Sequence, residues 1–315
     1  MTNSMSSSQS KIPYLYITGQ GYSGSTLLCF LLNSHPEIMT IGEAGPVERF
    51  KPKKYRCSCG QVMTECPFFL ELEKQVKKLG STFNIDKSWK TRFRLSDSHL
   101  LNVLLVRSLG NNSLELIRDR LVPYLYPGYK QEIEEISQRV VHVAQAAMMI
   151  QNKTAFVDAL KDSRRIKFLK DIEQIDLKVV HLVKDIRASV VSTMKHTGKD
   201  VAWAARYWRR INSKADLAKK LVSPDRWLRL RYSDLCADPQ GSVDRITDLM
   251  GLKPASLPKD FYTVEHHIMG NKMRRQSSGV VKEDLAWKEK LPDNDLNVIA
   301  RIGGSLNRYF GYDFP

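Results

Sequence analysis

The sequence predicts an α/β fold, a parallel sheet flanked by helices on both faces with a helical insert. Three observations carry this. Short β-rich apolar runs recur at residues 13–18, 154–159, 177–183 and 226–232. A segment with helical apolar spacing follows each run, which is the alternation that forms parallel sheets. Between the first and second runs lies a long helical stretch, about 67–151, broken near Pro127-Gly128.

The elements follow in order. Residues 1–12 read as a flexible polar tail, and residues 13–315 as one α/β domain. "PYLYIT" is a buried strand, a glycine turn succeeds it, and "STLLCFLLNSH" is apolar on successive helical turns from about Ser25. A cysteine-bearing loop spans about 51–66 and precedes the helical insert. "TAFVDA" and "LKVVHLV" are the second and third strands, with helices in "SRRIKFLKDI" and "RASVVSTMKH". "RWLRLRY" is the fourth, followed by a helix through "SVDRITDLMG". In such sheets ligands collect beyond the carboxyl ends of the strands.

Composition narrows the function. Of 315 residues, 49 are Lys or Arg and 34 Asp or Glu, a formal net charge of +15. This surplus attracts anions, but its basic residues are scattered and no nucleic-acid reading element is present. A basic pocket for an anionic ligand is the expectation, with no nucleic acid as partner. No apolar run approaches the ~18 residues of a membrane span, and the serine-rich start has no apolar leader core. Five unevenly spaced cysteines do not form a secreted disulfide framework, so a cytoplasmic protein with no membrane partner is expected.

"YITGQGYSGSTLL" (16–28) fits the phosphate-loop pattern G-x-x-x-x-G-K-[ST] except that Ser25 stands in the lysine position. Gly19, Gly21 and Gly24 allow tight turns that present backbone N–H groups at a helix N-terminus, and Ser23, Ser25 and Thr26 add hydroxyls. A glycine-rich turn that merely packs closely is the plainer alternative. The missing lysine and the lack of a clear magnesium partner (Asp185 is a weak one) argue against a nucleotide triphosphatase.

This segment resembles the variant phosphate loop of the sulfotransferases that use PAPS (phosphoadenosine phosphosulfate), [KR]-S-G-[ST]-[ST]-x-L in outline, within a P-loop-like fold. It stands here as Tyr22-Ser23-Gly24-Ser25-Thr26-Leu27-Leu28, with Tyr22 in place of the family's basic residue. A second family signature joins a cation at a strand end to a serine eight positions later, both on the 3′-phosphate; "VVHLVKDIRASVVS" supplies Lys184 and Ser192, with Arg187 and Ser189 as alternates. "RYSDL" (231–235) is similar to the family's segment after a core strand and reads as scaffold. The basic "HHIMGNKMRR" (266–275) is similar to the family's C-terminal nucleotide-covering loop, which implies Gly270, Asn271, Lys272, Arg275 and above all Arg274.

The resemblance implies sulfuryl transfer from PAPS to a hydroxyl acceptor, with PAP as product and no metal required. "SHPEIMTIGE" (34–43) looks like the tyrosylprotein sulfotransferase segment that ends in the catalytic glutamate, which implies Glu43 as base, with His35 a weaker competitor. Lys161, in "VDALKDSRR", is similar to a lysine of that branch that reaches the sulfonate, and can supply the charge that Tyr22 lacks. A salt-bridging Glu43 and a solvated Lys161 are the plainer alternatives. Two other functions stay open: a P-loop kinase-like phosphotransferase, and a non-catalytic nucleotide-binding protein. Cys57, Cys59 and Cys66 offer three thiolates without an evident fourth ligand, and His266 and His267 offer no third, so no metal site is expected from either group.

Overall fold

The computed structural model describes residues 10–45, 55–87, 89–107, 112–271, 273–276 and 279–314, and the side chains of these except Asn112 and Gln276. Lys272 and the first nine residues of the expected tail lie outside the described residues.

The chain runs β1 (Ile12–Gly19), α1 (Ser25–Asn33), β2 (Ile38–Thr40), then α2 (Pro67–Lys78), α3 (His99–Leu105), α4 (Asn112–Leu125) and α5 (Tyr129–Gln151). It continues through β3 (Ala155–Lys161), α6 (Ile166–Leu169), β4 (Ile175–Val183), α7 (Ile186–Thr197), α8 (Val201–Ala218), β5 (Trp227–Arg231), α9 (Tyr232–Ala237) and α10 (Pro239–Met250). All strand pairs are parallel, in the order β2-β3-β1-β4-β5. The four expected strands are thus present, each shifted by a residue or two at its ends. The edge strand β2 was not expected, because three residues show no periodicity.

Alternation along each strand sends side chains to opposite faces. Tyr14, Tyr16, Phe156 and Val179 join α2 and α5 in one core, through Phe69, Leu72, Val140 and Ala144. Leu15, Ile17, Val157, Val180 and Leu182 join α1 and α10 in the other, through Leu28, Leu31, Val243 and Ile246. A third cluster packs α7 and α8 against the C-terminal residues Phe310, Tyr312 and Phe314. Both faces of the sheet are therefore covered, as the near-continuous apolar strands require. The stretch expected to be helical at 67–151 holds α2 to α5, with an irregular segment between α2 and α3 that seats Phe83, Ile85 and Trp89 in the first core.

Among the described residues no helix is long and apolar enough to cross a membrane. The carboxyl ends of β1, β2, β3 and β4 lie on one side of the parallel sheet, and each leads directly into a segment of the candidate site.

Candidate functional site

The turn between β1 and α1 is shaped by close approach. At Gly19 (φ +144°) a Cβ would lie 2.5 Å from the Leu182 carbonyl oxygen, because the β1–β4 pairing runs to Gly19 itself, opposite Leu182. At Gly24 (φ +95°) it would lie 2.3 Å from the Tyr232 ring. Gly24 is the N-cap of α1 and has no side chain to satisfy the first helical N–H groups, which leaves them directed at the turn. Among the described residues the Ser23 hydroxyl is buried without a hydrogen-bond partner, which is the condition expected of a donor that awaits an anion.

Tyr22, the departure from the family pattern, adopts φ +66° and lays its ring on His196 of α7, centroids 4.1 Å apart. Gln20 donates to the Thr193 hydroxyl at 3.0 Å on the same helix. The turn is thus braced from α7, and Tyr22 acts there as a packing residue.

The cation missing from the turn arrives from β3. Lys161 sits at the strand's last position with φ +72°, where the β1–β3 register shifts between Tyr16 and Thr18. Its carbonyl accepts from the Thr18 hydroxyl at 3.1 Å. That backbone handedness is unfavourable for a residue with a side chain, and it directs the lysine back across the turn. Lys161 Nζ lies 3.4 Å from Ser25 Oγ, the residue that stands where a lysine would be, and donates to Glu43 Oε1 at 2.5 Å. Both side chains are largely sheltered, at 15% and 23% exposure. Lys161 is therefore not the solvated lysine of the plainer alternative, whereas Glu43 does stand in the salt bridge that its own plainer alternative describes.

Glu43 is held by the backbone on both sides. Gly42 (φ +73°) has the Met269 carbonyl oxygen only 2.0 Å from where a Cβ would be, and its own carbonyl accepts from Ala159 N–H at 2.9 Å. His35 does not reach this centre. Its Nδ1 accepts from Glu37 N–H at 3.1 Å and its Nε2 lies 3.0 Å from the Lys253 carbonyl, so it ties α1 to the loop after α10.

On the other side of the turn, Lys184 follows the last residue of β4 and is 6% exposed. Its Nζ lies 5.0 Å from the centre of the Tyr232 ring and 3.8 Å from Asp284. Burial pushes its pKa down, and Asp284 partly offsets this. A buried, weakly paired ammonium gains from a second anion. Tyr232, from the segment read only as scaffold, packs between Gly24 and this ammonium. The sequence signal was its place at a strand end facing both motifs, which only the strand order reveals. Ser192 lies on α7 and donates to the Ala188 carbonyl at 2.9 Å, one turn before His196 on the face that meets Tyr22. Of the alternates, Arg187 is committed to Asp185 at 2.6 Å and to the Trp287 ring at 3.9 Å, while Ser189 is 3.5 Å from the Lys184 carbonyl. The same pairing occupies Asp185, which caps α7 through the Arg187 N–H and is not a free carboxylate for magnesium.

Arg274 lies over the Tyr55 ring at 4.1 Å and donates to the carbonyls of Arg56, Gly270 and Asn271 at 2.8–2.9 Å. It anchors the loop at 55–66 to the segment at 266–275. Gly270 (φ +155°) in turn meets Thr26, with a Cβ position 2.8 Å from Thr26 Oγ1, so this segment rests on the first turn of α1.

Beside Lys161, its neighbours Leu160 and Asp162 open on a cleft of about 630 Å³. Among the described residues Lys90, Arg92, Arg94, Arg107, Arg139, Arg164 and Arg165 line it, against Asp97, Glu132, Glu135 and Asp162.

A glycine turn, a lysine from the neighbouring strand and a buried second cation thus meet at the carboxyl edge of the parallel sheet of an α/β protein. A family model described as "Sulfotransferase family" matches residues 13–255, and the chain belongs to that family. No curated protein sequence matches the chain. Among solved structures, the sulfotransferase domain from the curacin biosynthetic pathway is 17% identical over 97% of this chain and 100% of its own, with a TM-score of 0.53. It shares the fold. The sulfotransferase domain of the Synechococcus PCC 7002 olefin synthase is 18% identical over 98% of this chain and 97% of its own, with a TM-score of 0.49.

Proposed function

We propose that this sulfotransferase moves a sulfuryl group from PAPS to a hydroxyl acceptor by in-line displacement, with Glu43 as base and Lys161 as charge stabiliser. The observation that carries the reading is the contact of one lysine with both Ser25 of the turn and Glu43. In the reaction the acceptor O–H gives its proton to Glu43 as its oxygen bonds to sulfur. The bond from sulfur to the phosphate oxygen breaks, and PAP departs with the electron pair. Charge grows on the sulfonate and on the departing phosphate oxygen, where a pre-placed cation in a sheltered site is most effective. The backbone of Gly21, Tyr22, Ser23, Gly24, Ser25 and Thr26 would hold the 5′-phosphosulfate, with the free Ser23 hydroxyl as an added donor. Lys184 and Ser192 would hold the 3′-phosphate, and Arg274 would position the segment that covers the nucleotide. Transfer of this kind needs no metal.

The cationic cleft beside Lys161 supports an acceptor that carries acid groups, whether glycan, peptide or small molecule. We read residues 13–315 as one domain, with neither nucleic acid nor a membrane as partner. Five free cysteines support a cytoplasmic setting. A kinase-like phosphotransferase is disfavoured by the Asp185–Arg187 pair.

Calorimetric titration with PAP, ADP and ATP, with and without magnesium, tests the donor. Metal-independent PAP binding is expected, weakened about 10- to 100-fold by Lys184→Ala, the size of a lost charge-assisted contact of ~1.5–3 kcal/mol, and less by Ser192→Ala. A preference for ATP with magnesium would overturn the reading. PAP binding without transfer to any acceptor would instead favour a nucleotide-binding protein without catalysis.

A further inference from the structure

The loop at 55–66 and the segment at 265–269 bring four ligand-bearing side chains together. The atoms Cys57 Sγ, Cys59 Sγ, Cys66 Sγ and one His267 nitrogen all lie within 4.8 Å of one another. His267 Nδ1 is 3.6 Å from Cys57 Sγ and 3.4 Å from Cys66 Sγ, and the sulfurs of Cys59 and Cys66 are 3.6 Å apart. A tetrahedral zinc with ordinary bond lengths separates two thiolate sulfurs by about 3.8 Å and a sulfur from an imidazole nitrogen by about 3.6 Å. These three separations lie close to the two kinds of edge of that tetrahedron, and all four atoms fall within 4.8 Å of one another.

Three further features suit a metal. Cys57 and Cys66 are fully buried and His267 is 5% exposed, while Cys59 is exposed and closes the cluster from the solvent side. The remaining imidazole nitrogen, Nε2, lies 2.7 Å from Glu265 Oε1. With the proton on Nε2, that carboxylate accepts its hydrogen bond and the Nδ1 lone pair faces the sulfurs, the tautomer that a metal-bound histidine needs. The loop is also shaped in advance. Gly60 takes φ +90° and donates to the Cys57 carbonyl at 3.0 Å, while Cys57 N–H donates to the Gln61 carbonyl at 2.8 Å. The Ser58 hydroxyl joins the two segments by donating to the His266 carbonyl at 2.7 Å and accepting from Ile268 N–H at 2.8 Å. Phe68 stacks on the His267 ring at 4.5 Å and fixes its plane. His266 takes no part, since its nitrogens meet Asn33 and the Phe261 carbonyl.

We propose that Cys57, Cys59, Cys66 and His267 bind one zinc ion as a closed structural site. Four protein ligands leave no open position for a water or substrate, so the ion has no part in sulfuryl transfer. Binding releases the thiol protons to solvent. The site's task is mechanical. It fastens the loop at 55–66 to the segment that continues through Met269 and Gly270 onto Thr26 of the phosphate turn.

The test is the metal content of full-length protein, expressed with zinc, purified without a metal-affinity resin and kept reduced. Elemental analysis should find about one zinc per chain. Cobalt replacement should give the visible ligand-field and sulfur charge-transfer bands of a tetrahedral thiolate site. His267→Ala should lose both signals, and His267→Cys, a four-thiolate set, should retain them. Glu265→Gln, which touches only the ligand, should lower zinc affinity about 10- to 100-fold without moving the cobalt bands. The wild-type measurement stands even where a cysteine variant fails to fold. Zinc-free protein with no cobalt spectrum would overturn the proposal, as would a disulfide between Cys59 and Cys66, or a full equivalent of zinc in His267→Ala.

Discussion

Lys161→Ala should reduce sulfuryl transfer by about 10³-fold or more, the size associated with removing a pre-placed charge at the reacting oxygen. Affinity for PAP should change by less than tenfold. The split is expected because Lys161, in contact with Ser25 and Glu43, would on the proposed reading meet the sulfonate, which PAP has lost. Lys161→Arg should recover only part of the rate, since a planar guanidinium does not fit the two contacts made by one ammonium. Steady-state rates with calorimetry of PAP check this. Equal losses of rate and PAP affinity would mean that the lysine holds the nucleotide generally, and unchanged turnover would remove it from the chemistry.

The second large effect is expected at Gly24. An alanine there must adopt φ +95° and place its Cβ 2.3 Å from the ring of Tyr232. The left-handed backbone alone costs about 1–2 kcal/mol. Relief of the collision displaces either the turn or the ring that packs on Lys184, and both belong to the proposed nucleotide site. Gly24→Ala should therefore weaken PAP binding about 100-fold or more and lower the melting temperature by several degrees. The pair Gly24→Ala with Tyr232→Leu separates the causes: it should regain part of the stability by removing the collision, but not the affinity. Parent-like PAP binding in Gly24→Ala would show that the turn is not the phosphate cradle.

The sheet was readable because its strands are apolar, long enough to show alternation, and each followed by a helical pattern. β2 was not, because three residues carry no period, although the segment that ends in Glu43 was singled out for its chemistry. The turn, Lys161 and Lys184 were visible as motifs, since each lies within a few residues of a strand end. Their mutual geometry was not. The Lys161–Glu43 contact joins residues 118 positions apart, and follows from the adjacency of β2 and β3 in the sheet. Tyr232 was hidden for the same reason, as a scaffold residue until β5 is placed beside β4. The fourth ligand of the cysteine cluster stands 201 positions from Cys66, and no local spacing rule reaches that far. Arg274 shows the opposite limit. The family's nucleotide-covering loop singled it out, and the structure adds that its Nε and Nη1 donate to backbone carbonyls, contacts that no sequence pattern announces.

Lys161 combines two demands that no single amino acid meets well. Its backbone sits in a region where glycine is at ease, and the proposed sulfonate contact wants an ammonium on a four-carbon stem. Folding and catalysis therefore select different residues at one position, and the conflict can be weighed. Lys161→Gly and Lys161→Ala both forfeit the contact with Glu43, but only glycine relaxes the backbone. The glycine variant should be the more stable of the two by about 1 kcal/mol, the left-handed cost less glycine's extra freedom when unfolded, although both are inactive. Denaturant titrations of the pair would give that difference directly, and an alanine variant as stable as the glycine one would mean that the turn relaxes around any side chain. A stabilising substitution that ended activity would mark this lysine as retained for what it does, at the expense of how well the chain folds.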